Sequence, residues 1–411
     1  MALLTEGIER GNVRETGRVS KLTIDGISQN YRVYQIRLDE LYFNPQNDRI
    51  RTWMSSYESN GGEVDPSPEG RPAYNDAVAE FIRQSNPAAL KKTRNNIRLY
   101  GQEVPAIVLD NGLIIDGNRR FTCLRELAAE DEKFNWIDAM ILPANVASDE
   151  KRIKQLELAI QFGQEGKVDY NPIDRLAGVY NDILKKRLLT PEEYAKYANM
   201  QVREVRDLVS RARLMADFLN FCNRPDDYHL ARELEINGAL QEMPRLMKKC
   251  ADSDEAEELK TCIFANIVAG PQSDFNRFIR RFKPILESTA ATDFVQQELD
   301  FAEQVSDRLE KMEKVSLDSI RDEIRGDSAF VQKFNDTFDS ASEKAKANKV
   351  LSAPVENIMS AASLLENVEG SLFARFSEED RRKAMRGLKE ISACTKALLA
   401  DLEDGDSVDE A

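Results

Sequence analysis

Val104–Leu127 reads VPAIVLDNGLIIDGNRRFTCLREL. Two short β-type runs, Val104–Leu109 and Gly112–Ile115, flank Asp110-Asn111-Gly112, residue types that favour the positive φ of a tight hairpin turn. The second run enters Asp116-Gly117-Asn118-Arg119-Arg120 directly, and helical spacing resumes at Phe121, Leu124 and Leu127. A strand that turns through glycine into a helix lets backbone N–H groups approach a ligand closely. The new helix aims its free N–H groups and positive dipole end at the same point. Two arginines add forked donors suited to phosphate oxygens. The segment reads as a phosphate-binding corner; taken alone, it reads as readily as a helix start with surface arginines.

Upstream, Val19–Asp25 and Tyr31–Leu38 alternate apolar and polar residues around Asp25-Gly26, the pattern of a β-hairpin. A turn-rich stretch, Asn44-Pro45-Gln46-Asn47-Asp48-Arg49, follows, and Ser55–Pro72 is dense enough in Ser, Gly, Pro and Asn to predict an exposed loop. Asn75–Arg83 and Pro87–Tyr100 have helical spacing, the second with Lys91, Lys92 and Arg94 clustered. A further strand, Trp136–Leu142, closes what reads as an α+β domain over residues 1–147.

From about Ser148 onward only helices are predicted. Glu150–Phe162 comes first, then Asn171–Lys186, opened by Asn171-Pro172. Thr190 and Glu193 form a capping-box pattern, and Val202–Phe218 makes a third helix. Residues 148–225 thus read as a small helical domain, 226–402 as a helical C-terminal region, and 403–411 as an acidic disordered tail. Leu299–Met312 and Ser377–Leu402 are the clearest amphipathic stretches of that region.

Composition narrows the chemistry. The chain has 411 residues, 42% hydrophobic and 31% charged, without an apolar run long enough to span a bilayer. Met1–Glu15 lacks an apolar signal core, so a cytoplasmic location and no membrane partner are expected. The five cysteines are scattered and His229 is the single histidine, which disfavours a zinc cluster or a Cys–His nucleophile pair. Hydrolysis, if any, would run on carboxylates, arginines and a soluble metal ion. A net charge of −15 excludes a surface that is basic throughout, though a single basic patch suffices for DNA.

Three pieces, in order, resemble the ParB family. Ile36–Arg49 (IRLDELYFNPQNDR) is similar to the opening of its N-terminal domain, a strand leading to an Asn-Pro turn and an arginine. Tyr100–Leu127 is similar to its later segment, where Gly-x-Arg-Arg opens a helix. Leu156–Phe218 resembles its middle region, with an Asn-Pro helix start before a helix-turn-helix. The resemblance spans roughly Ile36 to Phe218, about half the chain. It implies a ParB/sulfiredoxin-like α+β domain followed by an all-α helix-turn-helix and a helical C-terminal region.

It further implies a nucleoside triphosphate, CTP or ATP, held with magnesium. Gly117, Arg119 and Arg120, with Asp116 and Asn118 beside them, would grip phosphates, and Asn44 and Arg49 would lie next to the pocket. The family's Glu-Asn-x-Gln-Arg stretch corresponds here to Gln161–Val168 without that pattern, so Gln164, Glu165 and Lys167 are its nearest substitutes. Asn118-Arg119 stands where sulfiredoxin carries Cys-His, which rules out sulfiredoxin chemistry.

For DNA, the second helix of the helix-turn-helix offers Arg203, Arg206, Arg211 and Arg213, and Lys185, Lys186 and Arg187 would meet phosphates. Glu204 and Asp207 share that helix, and the turn at Asn199-Met200 lacks the usual glycine. An ordinary three-helix packing unit stays open beside DNA binding. The leading expectation is a homodimeric, nucleotide-dependent DNA-binding protein acting in partition, transcriptional repression or phage defence. A weak NTPase or a nuclease working through Asp116, Glu165 and the arginines is one alternative. A helical adaptor that recruits a protein partner through the C-terminal region is another.

Overall fold

The hairpin around Asp25-Gly26 is longer than its alternation suggested: β1 (Val13–Ile24) and β2 (Ile27–Arg37) pair antiparallel, Ile24 opposite Ile27. The structure, a computed structural model, describes residues 3–24, 26–64, 66–143, 149–162, 171–250, 252–270 and 275–406. β3 (Tyr42–Phe43), β4 (Ala106–Leu109), β5 (Leu113–Asp116) and β6 (Trp136–Leu142) complete a six-stranded mixed sheet of order β1-β2-β6-β4-β5-β3. β4 pairs antiparallel with β5 and parallel with β6. Every residue of β4 and β5 is buried, which explains their unbroken apolar runs.

The predicted loop Ser55–Pro72 is partly wrong. Helix α1 (Arg51–Ser59) enters it and buries Thr52, Trp53, Met54 and Ser55. α2 (Arg71–Ser85) and α3 (Pro87–Tyr100) follow, the latter capped by Asn86, whose side chain accepts from the Ala89 N–H at 2.9 Å. α4 (Asn118–Ala128) packs on α2 and α3, and Phe121 meets Phe43 of β3 edge-on at 4.8 Å.

Beyond Asp149 the described residues contain helices and turns and no strand. α5 (Glu150–Phe162) has the predicted bounds. α6 (Pro172–Val179) starts at the expected cap, the Ile173 N–H donating to Asn171 Oδ1 at 2.9 Å, and continues as a π-helical turn over Tyr180–Lys185. The Thr190–Glu193 capping box is formed in both directions and opens α7 (Pro191–Tyr197). α8 (Val202–Phe221) is reached through Asn199, whose φ of +52° supplies the left-handed turn residue that glycine usually provides.

The C-terminal helices are α9 (Tyr228–Glu233), α10 (Asn237–Met247), α11 (Ser253–Ala269), α12 (Phe275–Arg280), α13 (Phe282–Leu286), α14 (Ala291–Lys311), α15 (Leu317–Ile320), α16 (Ser328–Glu366) and α17 (Glu378–Asp406). α17 reaches past 402, so the first residues of the expected acidic tail are helical. Residues 407–411 lie outside the described part. The chain divides into two compact units, Met1–Glu343 and Lys344–Ala411. In the first, Phe278, Phe282, Phe294 and Phe338 form one aromatic core with centroids 5.1–5.7 Å apart. Among the described residues, no helix is long and apolar enough to cross a membrane.

The sheet domain is joined to the helices through buried charge. Lys154 of α5 has no exposure, and its Nζ donates to Asp48 Oδ1 at 2.7 Å and to Glu157 Oε2 at 3.4 Å. Asp182, from the π-helical turn, stands 3.1 Å away as a third counter-ion. Burial opposes the Lys154 charge, but the fields of Asp182, Asp48 and Glu157 outweigh it and hold the ammonium well above its usual range. Burial raises the Glu157 and Asp182 carboxyls, since one ammonium cannot satisfy three buried anions. α6 rests directly on this cluster: a Cβ at Gly178 would lie 2.7 Å from the Asp48 carboxylate. Lys154→Met should cost about 3–5 kcal/mol in urea unfolding, because the acids lose their counter-charge. Lys151→Met, which breaks only the exposed pair with Glu193, should stay within about 1 kcal/mol; equal losses would show that the buried cluster is not a clamp.

Candidate anion-binding site

Gly117 makes the corner possible. Its φ is +114°, and an added Cβ would come within 2.7 Å of the Ala106 Cβ, so β4 and the start of α4 touch there through backbone and methyl. The first turn of α4 has no side-chain cap, which leaves its leading N–H groups without the usual intramolecular acceptor. Asp116 and Arg120 pair across this turn at 3.1 Å, and Arg120 also donates to the Pro105 carbonyl at 3.4 Å.

A cavity of about 650 Å³ opens in front of the corner. Asp116, Gly117, Asn118, Arg119 and Arg120 form one wall, Arg49 a second, and Lys92, Thr93, Asn95 and Asn96 of α3 a third. The loop Gly101–Val104 closes the remaining side. Gln102 fixes that loop to β6: its Nε2 donates to the Asp138 and Val104 carbonyls at 2.7 and 2.9 Å, and its Oε1 accepts from the Asp138 N–H at 2.9 Å. Arg49 and Gly117–Arg120, nearly seventy residues apart in the chain, line the same cavity.

Electrostatically the cavity is short of negative charge. Four basic side chains line it against the two acids Asp116 and Glu103, and Asp116 is already bound to Arg120. Arg119 makes no hydrogen bond or ion pair among the described residues, and it is half-buried. Burial and the neighbouring charge of Arg49, with a smaller push from Arg120, lower its affinity for its own proton. An anion in the cavity would relieve both penalties. The Asn118 Oδ1 atom is also buried without a partner among the described residues.

Other predicted residues fall elsewhere. Asn44 does not line the cavity; it is buried in the preceding turn, where its Oδ1 accepts from the Gln46 N–H at 2.9 Å. Asn47 accepts from the Arg49 N–H at 3.1 Å, so this turn acts as the mount for Arg49. Gln164, Glu165 and Lys167 lie outside the described residues. Cys123, just behind the corner, donates to the Leu90 carbonyl at 3.6 Å, and burial pushes its thiol up to about 12. It is therefore a packing residue. Among the described residues, no group of three His, Cys, Asp or Glu side chains stands ready to hold a metal ion. A magnesium ion here would have to arrive with phosphate oxygens as most of its ligands.

On α8, Arg203, Arg206 and Arg213 are exposed, whereas Arg211 is half-buried, pairs with Asp207 at 2.9 Å and lines an inner crevice with Phe162 and Leu208. Five residues separate Arg211 from Arg206, about 140° around a helix, which takes it off the outer face. Arg206 is 3.0 Å from Glu192, Lys185 is 2.8 Å from Asp226, and Lys186 pairs with Glu150. Arg187 is exposed at a positive φ of 52°. With Glu204 and Asp207 also exposed, the outer face of α8 is nearly charge-balanced.

Set against models of known families, curated proteins and solved structures, the chain has no match. Fold and site together define an α+β domain with a mixed sheet and an arginine-lined corner, followed by a mostly helical region. Gly117→Ala should lower unfolding free energy by about 1–3 kcal/mol from backbone strain alone, and the 2.7 Å contact adds to it. A variant as stable as the wild type would mean that the corner can re-form without glycine.

Proposed function

We propose that the chain is a ParB-like, nucleotide-dependent DNA-binding protein whose Gly117–Arg120 corner holds the phosphates of a nucleoside triphosphate such as CTP or ATP. The observation that carries this reading is Arg119, half-buried beside Arg49 and Arg120 in a cavity of about 650 Å³, without an anionic partner among the described residues. Two forked guanidinium groups and the open N–H groups of α4 suit a chain of phosphates better than a single carboxylate. Asn95 and Asn96 offer amide donors and acceptors at the α3 wall, and the exposed side chains of Leu99 and Val104 give a base an apolar face. Magnesium would bridge phosphate oxygens.

Nucleotide would bias a homodimeric state of the sheet domain, and α8 would meet DNA through Arg203 and Arg206. The Arg206–Glu192 pair is solvent-exposed and holds little free energy, so a phosphate can replace the glutamate. The nearly charge-balanced face of α8 weakens the case for DNA there and so favours the adaptor reading, in which the C-terminal helical region recruits a protein partner.

Titration of the protein with CTP, ATP and GTP by calorimetry, in magnesium, tests the corner. One nucleotide should bind selectively, and Arg119→Ala should weaken it about ten- to a hundred-fold, the worth of a charged hydrogen bond, with circular dichroism unchanged. Binding of no nucleotide, or equal binding by Arg119→Ala, would overturn the assignment. Arg203→Ala combined with Arg206→Ala should weaken duplex DNA binding and lower its salt slope by about 2. An unaltered gel shift and slope would favour the adaptor.

A further inference from the structure

The inner crevice that Arg211 faces is a cavity of about 340 Å³, and the fold leaves it short of an anion. Arg175 of α6 and Arg211 of α8 line it, and no acid does so among the described residues. Arg175 has no carboxylate partner there: its Nη2 meets the Met200 sulfur at 2.8 Å, and its guanidinium lies 5.4 Å from the centre of the Phe162 ring. A thioether is a weak acceptor, and a ring face answers only part of a desolvated charge. Arg211 is better served, by Asp207 at 2.9 Å, a carboxylate that is itself 60% exposed.

The orphaned atoms are telling. The Nε atoms of both arginines and Oδ1 of Asn237, a third lining residue, are buried with no hydrogen-bond partner among the described residues. Three such groups around one cavity carry a desolvation cost that the fold's own groups do not offset. Asn237 also begins α10, an 11-residue helix whose N-cap, Ile236, offers no side-chain acceptor. The leading N–H groups and positive end of α10 therefore stand at this wall.

The lining indicates which anion fits. Phe162, Pro172, Leu176 and Leu208 make the rest of the wall apolar. Asp207 already answers one guanidinium, so one positive charge remains, the complement of a monoanion rather than a phosphate dianion. The volume is that of about eleven waters, far more than a bare inorganic ion fills. We propose that this cavity binds a compact organic monocarboxylate. Its carboxylate meets the Arg175 guanidinium and the start of α10, and its apolar body packs against Phe162 and Leu208. Bound there, the ligand ties α6, α8 and α10 together and acts on the position of α8. No residue lines both this cavity and the Gly117–Arg120 corner, so the two sites are separate.

Titration of the full chain with 4-fluorobenzoate, followed by fluorine NMR, tests the site. The probe should bind once per chain and be displaced by benzoate, but not by neutral benzamide or inorganic phosphate. Arg175→Met should weaken binding about tenfold or more, the worth of a charged hydrogen bond. Without probe this variant should melt no lower than the wild type, because it removes a buried charge that has no counter-ion. If it melts lower, Arg175→Lys decides: the charge is kept and the fork lost, so binding should still weaken several-fold. Arg119→Ala should leave binding unchanged, which keeps this result distinct from that of the corner. No binding at millimolar probe, displacement by phosphate as readily as by benzoate, loss of binding in Arg119→Ala, or undiminished binding by the Arg175 variants would overturn the inference.

Discussion

The ion cluster at Lys154 is the constraint on which the first unit depends. An ammonium with no exposure is tolerable only where several acids face it, and here they come from three separate stretches of chain: Asp48 before α1, Glu157 on α5 itself and Asp182 after α6. The contacts to Asp48 and Asp182 fix the distances between elements more tightly than apolar contacts would, because a displaced partner leaves a buried charge unmet. A second anchor reinforces the first. Asp174 accepts from the Thr52 N–H at 3.3 Å and from Arg232 at 2.7 Å, and Arg232 lies 3.8 Å above the Trp53 ring. Burial raises Asp174 to about 7, against the pull of Arg232, so this anchor too sits near the balance between desolvation and pairing.

The cavity inherits its geometry from that cluster. Asp48 and Arg49 are adjacent in one 3₁₀ turn, Asp48 directed at Lys154 and Arg49 lining the cavity. Locking the first therefore positions the second, and α5 carries the lock. The remaining walls are set by different means: Gly117 by its close approach to Ala106, and the Gly101–Val104 loop by Gln102 on β6. Three guanidinium-bearing residues are thus brought together by supports that come from separate elements of the chain. This is the arrangement a binding site needs if its charges are to be held near one another at a cost paid by the scaffold.

Much of this was legible in the sequence, and the parts that were not share a cause. The corner, the hairpin, the bounds of α5 and the capping box at Thr190 rest on local rules, in which glycine, a cap or a short apolar run determines its own neighbourhood. Lys154, Glu157 and Gln161 were opaque because three polar residues at helical spacing read as a solvated stripe. They are buried because Asp48 and Asp182 reach Lys154 from elsewhere in the chain, while Glu157 accepts from Gln161 within α5. The same logic hid the end of α1: the Ser, Gly, Pro and Asn content of Ser55–Pro72 reads as loop, while Trp53 and Met54 pack the helix that runs into it. Arg211 looked equivalent to Arg203 in composition, but its angle on α8 turns it to the inner crevice. Asn44 belongs to the turn that mounts Arg49, a distinction no spacing rule could make.

The two units solve the burial problem in opposite ways. In the first, even a carboxyl is taken into the interior: Glu298 is 1% exposed, hydrogen-bonded to Asn266 at 2.7 Å, and burial pushes its carboxyl up to about 8, toward the neutral form. In the second, the helices leave Leu351, Met359, Leu399 and Leu402 at least half exposed.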